Sequence, residues 1–201
     1  MLLWDVDTQA DFLLPGGRLY VPGAEAIIPN LARLTKLARD MQLPLIASAD
    51  AHHPGDPELA IYPPHCMAGT PGQNKIPETL LPNRFVLPNR PTELPALKDF
   101  QQIIIEKQQF DVFTNPNTDK LLQQFGSALH IWMYGVVAEI CVAAAARNLL
   151  RRGHKVTLVS DAVRALDRAK AAEFTDELLI AGGKLVTTDE AIRALAPATS
   201  N

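Results

Sequence analysis

Cys141 stands at a strand-to-helix turn of a kind that can make a thiol nucleophilic. The run Ile131 to Tyr134 reads as a buried strand, Gly135 begins a turn, and the small residues Ala143 to Ala146 belong to a helix able to lie close against a sheet. That pattern puts Cys141 in the first helical turn. There the partial positive charge of the helix N-terminus favours a thiolate, and unpaired backbone N–H groups can face an oxyanion after attack on a carbonyl. Asp7 and Lys107 each follow a separate apolar run. They supply an acid that can accept and return a proton and a cation that favours the ionised thiol. Taken singly, each has a plainer reading: a core cysteine, a turn or capping aspartate, a solvated lysine.

A second group is denser. Asp50-Ala51-His52, Glu58 and Pro63-Pro64-His65 bring two imidazoles and two carboxylates into one loop, enough to surround a divalent cation. Zinc, iron, manganese, cobalt and nickel all take such ligands, and an incompletely filled shell leaves room for water or a substrate nitrogen. His53 is an alternative to His52, and Asp56 to Glu58. Cys66 follows His65 directly and is read as a structural thiol. A purely structural zinc site would favour a cysteine-rich closed shell, and this loop offers mostly oxygen and imidazole.

The elements that must position these groups follow from periodicity. Strands are expected at Leu2 to Val6, Pro44 to Ser48, Gln102 to Ile105, Ile131 to Tyr134, Lys155 to Val159 and Lys184 to Thr187. Helices are expected from Ala24 onward (Ile27, Leu31, Leu34, Leu37), over Asn117 to Phe125, through the Ala-rich stretch to Arg151-Arg152-Gly153, over Arg168 to Ala181, and over Asp189 to Ala196 before an irregular tail. The segment 51–93, rich in proline, reads as loop with short elements, and long loops in compact domains commonly carry function. Alternation of strand and helix predicts an α/β domain spanning residues 1–201: a three-layer α/β/α arrangement with a six-stranded, mostly parallel sheet. In such sheets ligands bind at the carboxyl ends of the strands, where Asp7, Asp50, Lys107 and the Cys141 turn all fall.

Composition narrows the partners. A net charge of −3 and a pI near 5.9 give no electrostatic case for nucleic acid or an anionic membrane surface. No apolar run approaches the length of a membrane-spanning helix, and the N-terminal residues lack a basic region followed by a long apolar core. Two cysteines make no disulfide framework in a chain of 201 residues, so a reducing cytoplasm is the expected compartment. The Ala-rich helix and the proline-rich loop could support a homo-oligomer, whose size sequence does not fix.

These motifs together resemble the isochorismatase-like cysteine hydrolases, and among them the nicotinamidases (pyrazinamidases). Asp7-Thr8-Gln9-Ala10-Asp11-Phe12 resembles the family's opening motif. Asp50-x-His52 with Tyr62-Pro63-Pro64-His65-Cys66-x-x-Gly69-Thr70-x-Gly72 resembles its metal loop, and Gly135-Val136-Val137-Ala138-Glu139-Ile140-Cys141-Val142 its nucleophile turn. The resemblance implies a catalytic triad of Asp7, Lys107 and Cys141, and one divalent metal ion, zinc first with iron or manganese as alternatives, on Asp50, His52 and His65. Glu58 stands where a histidine is often found and is assigned as the fourth ligand. A non-proline cis peptide at Val136–Val137 is implied, with the N–H groups of Val137 and Cys141 forming an oxyanion hole. Phe12, Leu19 and Tyr62 are candidate walls for a flat ring.

The implied reaction is hydrolysis of a small amide, nicotinamide to nicotinate and ammonia, through a thioester. Gln108-Gln109-Phe110-Asp111-Val112-Phe113 departs from the Gly-rich sequence of many nicotinamidases. A hydrolase of another amide or an N-carbamoyl compound, reading a substrate carboxylate with Arg18, Arg84 or Arg90, is therefore the alternative. Isochorismatase chemistry needs neither thiol nor metal. A non-catalytic binding protein on the same fold would be expected to lack a triad member, and none is missing.

Overall fold

The computed structural model describes residues 1–94 and 96–196; the expected tail after Ala196 lies outside them. Seven strands form one sheet in the order β3-β4-β2-β1-β5-β6-β7. They are β1 (Leu2–Val6), β2 (Leu45–Asp50), β3 (Arg84–Leu87), β4 (Gln102–Lys107), β5 (His130–Val136), β6 (Lys155–Arg164) and β7 (Lys184–Val186), and every neighbouring pair runs parallel. The sheet thus has one strand more than the six expected and is parallel throughout. The additional strand, β3, lies at the edge, spans four residues between Pro82 and Pro88, and leaves Arg84 and Val86 exposed. So short a run, open on one side, carries no period that sequence can reveal.

Helices cover both faces, as the near-continuous apolar character of the central strands requires. Leu2, Trp4 and Val6 of β1 point into a core closed by α3 (Thr118–Phe125), α4 (Ala143–Arg151) and α5 (Arg168–Ile180) through Leu121, Ala146, Leu149, Phe174 and Leu178. On the opposite face Leu3 meets Leu31 and Leu34 of α2 (Ile28–Asp40) and Ala191 and Leu195 of α6 (Thr188–Leu195). Thr187 and Glu190 form a capping box at the start of α6, and the Asp167 carboxylate accepts from the N–H groups of Ala169 and Lys170 at the start of α5. A short turn of helix, α1 (Ala10–Leu13), leads into the glycine- and proline-bearing segment 14–23.

Strand β1 is central, with β2 on one side and β5 on the other. The chain places β2 beside β1, β3 at the edge and β4 between β2 and β3 on one side, then crosses to β5 on the other. The order therefore reverses at β1, and the carboxyl ends of β4, β2, β1 and β5 share one rim at the switch point.

Gly135 lets β5 approach β1 there. Its φ is +118°, and a Cβ added to it would stand 2.1 Å from the carbonyl oxygen of Val6. Both the conformation and the backbone contact exclude a side chain. Gly135→Ala is expected to lower stability by about 3 kcal/mol or more, read as a fall in the urea midpoint with unchanged slope.

Candidate active site and metal cage

Each strand of the rim delivers one group. Asp7 follows β1 with φ +49°, a left-handed conformation rare for a residue with a side chain and typical of functional sites whose surroundings enforce it. Lys107 ends β4 and Asp50 ends β2, paired in register. Cys141 lies in a π-helical turn, Ala138–Val142, that leads into α4, and the preceding Val136–Val137 peptide is cis, as the resemblance implies. All four side chains are buried: Asp7 and Asp50 are 0% exposed, Lys107 1% and Cys141 5%.

The lysine is the hub. Its Nζ lies 2.9 Å from Asp7 Oδ2, 2.5 Å from Asp50 Oδ1 and 3.7 Å from Cys141 Sγ. Burial works against its charge, yet Asp50 and Asp7 hold its pKa well above the ordinary lysine value, so it stays an ammonium. The thiol differs from the sequence expectation. Burial pushes the Cys141 pKa well above its usual value; Lys107 opposes this, and the neighbouring carboxylates Asp7 and Asp50 reinforce it. The environment of Cys141 thus favours the protonated thiol over the thiolate. The Asp7 carboxylate is among the groups close enough to raise its pKa, and it shares Lys107 with the thiol.

The loop residues converge beside this triad. Ligand atoms of Asp50, His52, Glu58 and His65 all lie within 4.8 Å of one another, and all four residues are buried. His52 Nε2 is 3.9 Å from Asp50 Oδ2 and 3.8 Å from Glu58 Oε1; His65 Nε2 is 3.9 Å and 3.6 Å from the same two atoms. Tetrahedral bonds of about 2.1 Å correspond to a ligand–ligand edge of roughly 3.4 Å. The four histidine–carboxylate edges are thus within about half an ångström of that value.

The outward ring nitrogens are already engaged. His52 Nδ1 meets Asp56 Oδ2 at 3.2 Å and His65 Nδ1 meets the Pro63 carbonyl at 2.8 Å. With Nδ1–H donating outward, both Nε2 lone pairs face inward, the arrangement typical of metal-bound histidine. Asp50 Oδ2, His52 Nε2, Glu58 Oε2 and His65 Nε2 have no hydrogen-bond partner among the described residues. Unpaired polar atoms on four buried side chains that face one another are costly unless a cation joins the group. The donor set fits a divalent metal ion.

Of the two alternatives weighed for this loop, His53 is exposed, and Asp56 binds the His52 ring and the His53 N–H instead of joining the inward set. Cys66 is buried with its Sγ 3.8 Å from the Gly72 carbonyl, and burial pushes its thiol far up, as suits a structural residue. Asp50 joins the two halves of the site, with Oδ1 on Lys107 and Oδ2 in the cage.

Phe12 packs on the His65 ring with centroids 5.3 Å apart, and Tyr62 meets Phe110 edge-to-face at 5.9 Å. Leu19 packs into the core cluster that contains Phe12. Arg18, Arg84 and Arg90 are exposed.

Three contributors were not identified from sequence. Phe110, three residues beyond Lys107, had no distinguishing pattern. Gln9 clamps Asp50 by its backbone, accepting from its N–H at 2.7 Å and donating to its carbonyl at 2.8 Å. Ser48 Oγ donates to Asp7 Oδ1 at 2.6 Å. Gln9 lies inside the opening motif, two residues beyond Asp7, and Ser48 sits two residues before Asp50 on the same strand; those were the available signals.

Fold and site together define a doubly wound parallel α/β domain that carries a buried cysteine at a strand-to-helix turn, beside a lysine, two carboxylates and a metal-ligating side-chain group. The chain belongs to the isochorismatase family, whose domain it matches over residues 2–190. It is similar to streptothricin hydrolase from Streptomyces noursei, with 30% identity over 171 residues covering 85% of this chain and 57% of that one. The chain thus spans little more than half the length of that relative. Among solved structures, a pyrazinamidase of Pyrococcus horikoshii in complex with zinc is 26% identical, with a TM-score of 0.75, covering 92% of this chain and 98% of that one. An N-carbamoylsarcosine amidase of Thermoplasma acidophilum is 26% identical, with a TM-score of 0.73, covering 94% and 96%. No helix among the described residues is long and apolar enough to cross a membrane.

Proposed function

We propose that this hydrolase is a metal-dependent amidase that converts nicotinamide and water to nicotinate and ammonia through a thioester on Cys141. The observation that carries this reading is the shared carboxylate. Asp50 touches the lysine of the triad with one oxygen and the inward-facing ligand cage with the other. A ring held at the cage and an amide held at the thiol would then belong to one small substrate. The likeness to a zinc-bound pyrazinamidase supports the same choice.

Asp50, His52, Glu58 and His65 would hold the ion, which when bound supplies a Lewis-acid point for a heteroaromatic ring nitrogen. The rest of the chemistry belongs to the chain. Asp7 takes the Cys141 proton, and the sulfur attacks the amide carbon while Lys107 steadies the developing thiolate. The backbone N–H groups of Val137 and Cys141 bind the oxyanion. Asp7 returns the proton to the leaving nitrogen, the C–N bond breaks and ammonia departs. Asp7 then deprotonates a water that adds to the thioester; the C–S bond breaks and Cys141 regains its proton.

The test is ammonia release from nicotinamide by the purified protein, before and after chelation and with metal added back. Release that falls on chelation and returns with zinc, iron or manganese supports the reading. Absence of release with metal bound would sink nicotinamide as substrate. An N-carbamoyl compound or another amide would then be the substrate, as the likeness to streptothricin hydrolase and N-carbamoylsarcosine amidase suggests.

A further inference from the structure

A second buried ion pair lies behind the triad. Asp5, next to last in the central strand β1, is 0% exposed where its strand neighbours Leu3, Trp4 and Val6 are apolar core. Its Oδ2 lies 3.0 Å from Lys75 Nζ and accepts from Thr8 Oγ1 at 3.0 Å; its Oδ1 has no partner among the described residues. Lys75 borders a cleft of about 670 Å³ into which an ammonium could have reached water. It turns inward instead, and its side chain is only 3% exposed. A charge pair at the centre of a parallel sheet adds little to stability compared with apolar side chains of similar size. Its contacts give the pair another use.

Lys75 Nζ also donates to the Ser48 carbonyl at 3.4 Å, and that same carbonyl accepts the Asp7 N–H at 3.2 Å. The Ser48 hydroxyl holds Asp7 Oδ1. On the other side of Asp7, the Thr8 hydroxyl is fixed between Asp5 and Thr79 Oγ1, 2.9 Å away, and the Thr8 carbonyl accepts from Ile76 N–H at 3.0 Å. Asp7 is thus flanked by two residues that both answer to the Asp5–Lys75 pair, and it is the residue held with positive φ.

We propose that Asp5 and Lys75 are positioning residues. By fixing Ser48 and Thr8, their ion pair holds the Asp7 backbone in its left-handed conformation and aims the Asp7 carboxylate between Lys107 and the Cys141 thiol. This rests on the reading of Asp7 as the proton carrier, so the experiment reads thiol activation and not turnover of a chosen amide. The probe is iodoacetamide. Its reaction with Cys141 forms a C–S bond and expels iodide, and the thiol proton passes to Asp7. The rate is followed at neutral pH by mass spectrometry, with peptide mapping to separate any adduct on Cys66.

The double variant Asp5→Leu/Lys75→Met removes both charges and keeps an apolar core. It is expected to alkylate at Cys141 about tenfold more slowly or worse, approaching an Asp7→Asn benchmark, while melting temperature and bound zinc stay at the wild-type level. Ser48→Ala, which removes only the hydroxyl on Asp7, is expected to slow alkylation in the same direction and keeps the test decisive if the double variant folds poorly. Alkylation of either folded variant within about twofold of wild type would overturn the positioning role and leave a purely structural pair. Asp7→Asn reacting at the wild-type rate, or faster because a carboxylate that opposes the thiolate is gone, would instead overturn the proton-carrier reading itself, and the positioning role with it.

Discussion

Replacing Cys141 by alanine is expected to reduce amide hydrolysis by at least about 10³-fold, or roughly 4 kcal/mol of transition-state stabilisation, with the fold intact. The size of the effect follows from the chemistry. Without the sulfur no thioester forms, and water would have to attack an amide in a site built to activate a thiol. Asp7 would still carry a proton and Lys107 would still supply positive charge, so a residue of catalysis from binding and electrostatics remains. The structural effect is small because the side chain is small. Cys141 sits against Val142 and Ala143 in the core beneath the helix start, and losing one buried sulfur should cost about 1 kcal/mol or somewhat more. Ammonia release from nicotinamide and thermal unfolding, measured on the same preparation, separate the two. The variant should also acquire no acyl adduct when substrate is added and the mixture is quenched in acid. A Cys141→Ala protein that releases ammonia at the normal rate would rule out the covalent scheme.

The location of the triad was legible in the sequence because each member follows an apolar run. A parallel sheet brings the carboxyl ends of its strands to one rim, so Asp7, Asp50, Lys107 and the Cys141 turn had to be near one another once the strands were recognised. The cage was legible for a different reason: its four ligands lie in or beside one loop. What the sequence concealed was whatever depends on burial or on contacts between distant segments. The state of Cys141 is the clearest case. A helix start and a lysine argue for a thiolate, but burial and two carboxylates reverse the outcome, and neither the depth of the thiol nor the second carboxylate has any signature in spacing. Strand β3 left no pattern because it is four residues long at an exposed edge. The Asp5–Lys75 pair was concealed by both difficulties. Asp5 reads as an interruption of an apolar strand, and its partner comes from a proline-rich loop far along the chain.

Removing one ligand from the cage is expected to abolish tight metal binding. His65→Ala should fall from about one zinc per chain to background, because only three groups would remain to hold an ion and the imidazole ring braced by Phe12 is gone. Asp56→Ala is expected to weaken affinity by about 10- to 100-fold while leaving the stoichiometry intact, since Asp56 orients His52 from outside the cage.

The pH dependence has a definite sign. Burial raises the Asp50 pKa from 3.8 to about 7, with Asp7 and Glu58 adding to it and Lys107 opposing. Burial works against protonation of His65, yet Glu58, the Pro63 carbonyl and Asp50 lift it above the ordinary histidine value. The metal-free fold therefore holds a proton on Asp50 that the unfolded chain has released. Through this group its stability falls as pH rises from 3.8 towards about 7. A cation replaces that proton, so its contribution grows over the same interval. Zinc at about 100 times its dissociation constant adds roughly 2.7 kcal/mol, which for a domain of this size raises the melting temperature by about 5–10 °C. The shift should be present at slightly alkaline pH and shrink below pH 6 as protons compete for Asp50 and His65. Thermal unfolding with and without zinc across this range measures it directly. A zinc shift that does not change with pH, or one that survives His65→Ala, would place the metal somewhere other than this cage.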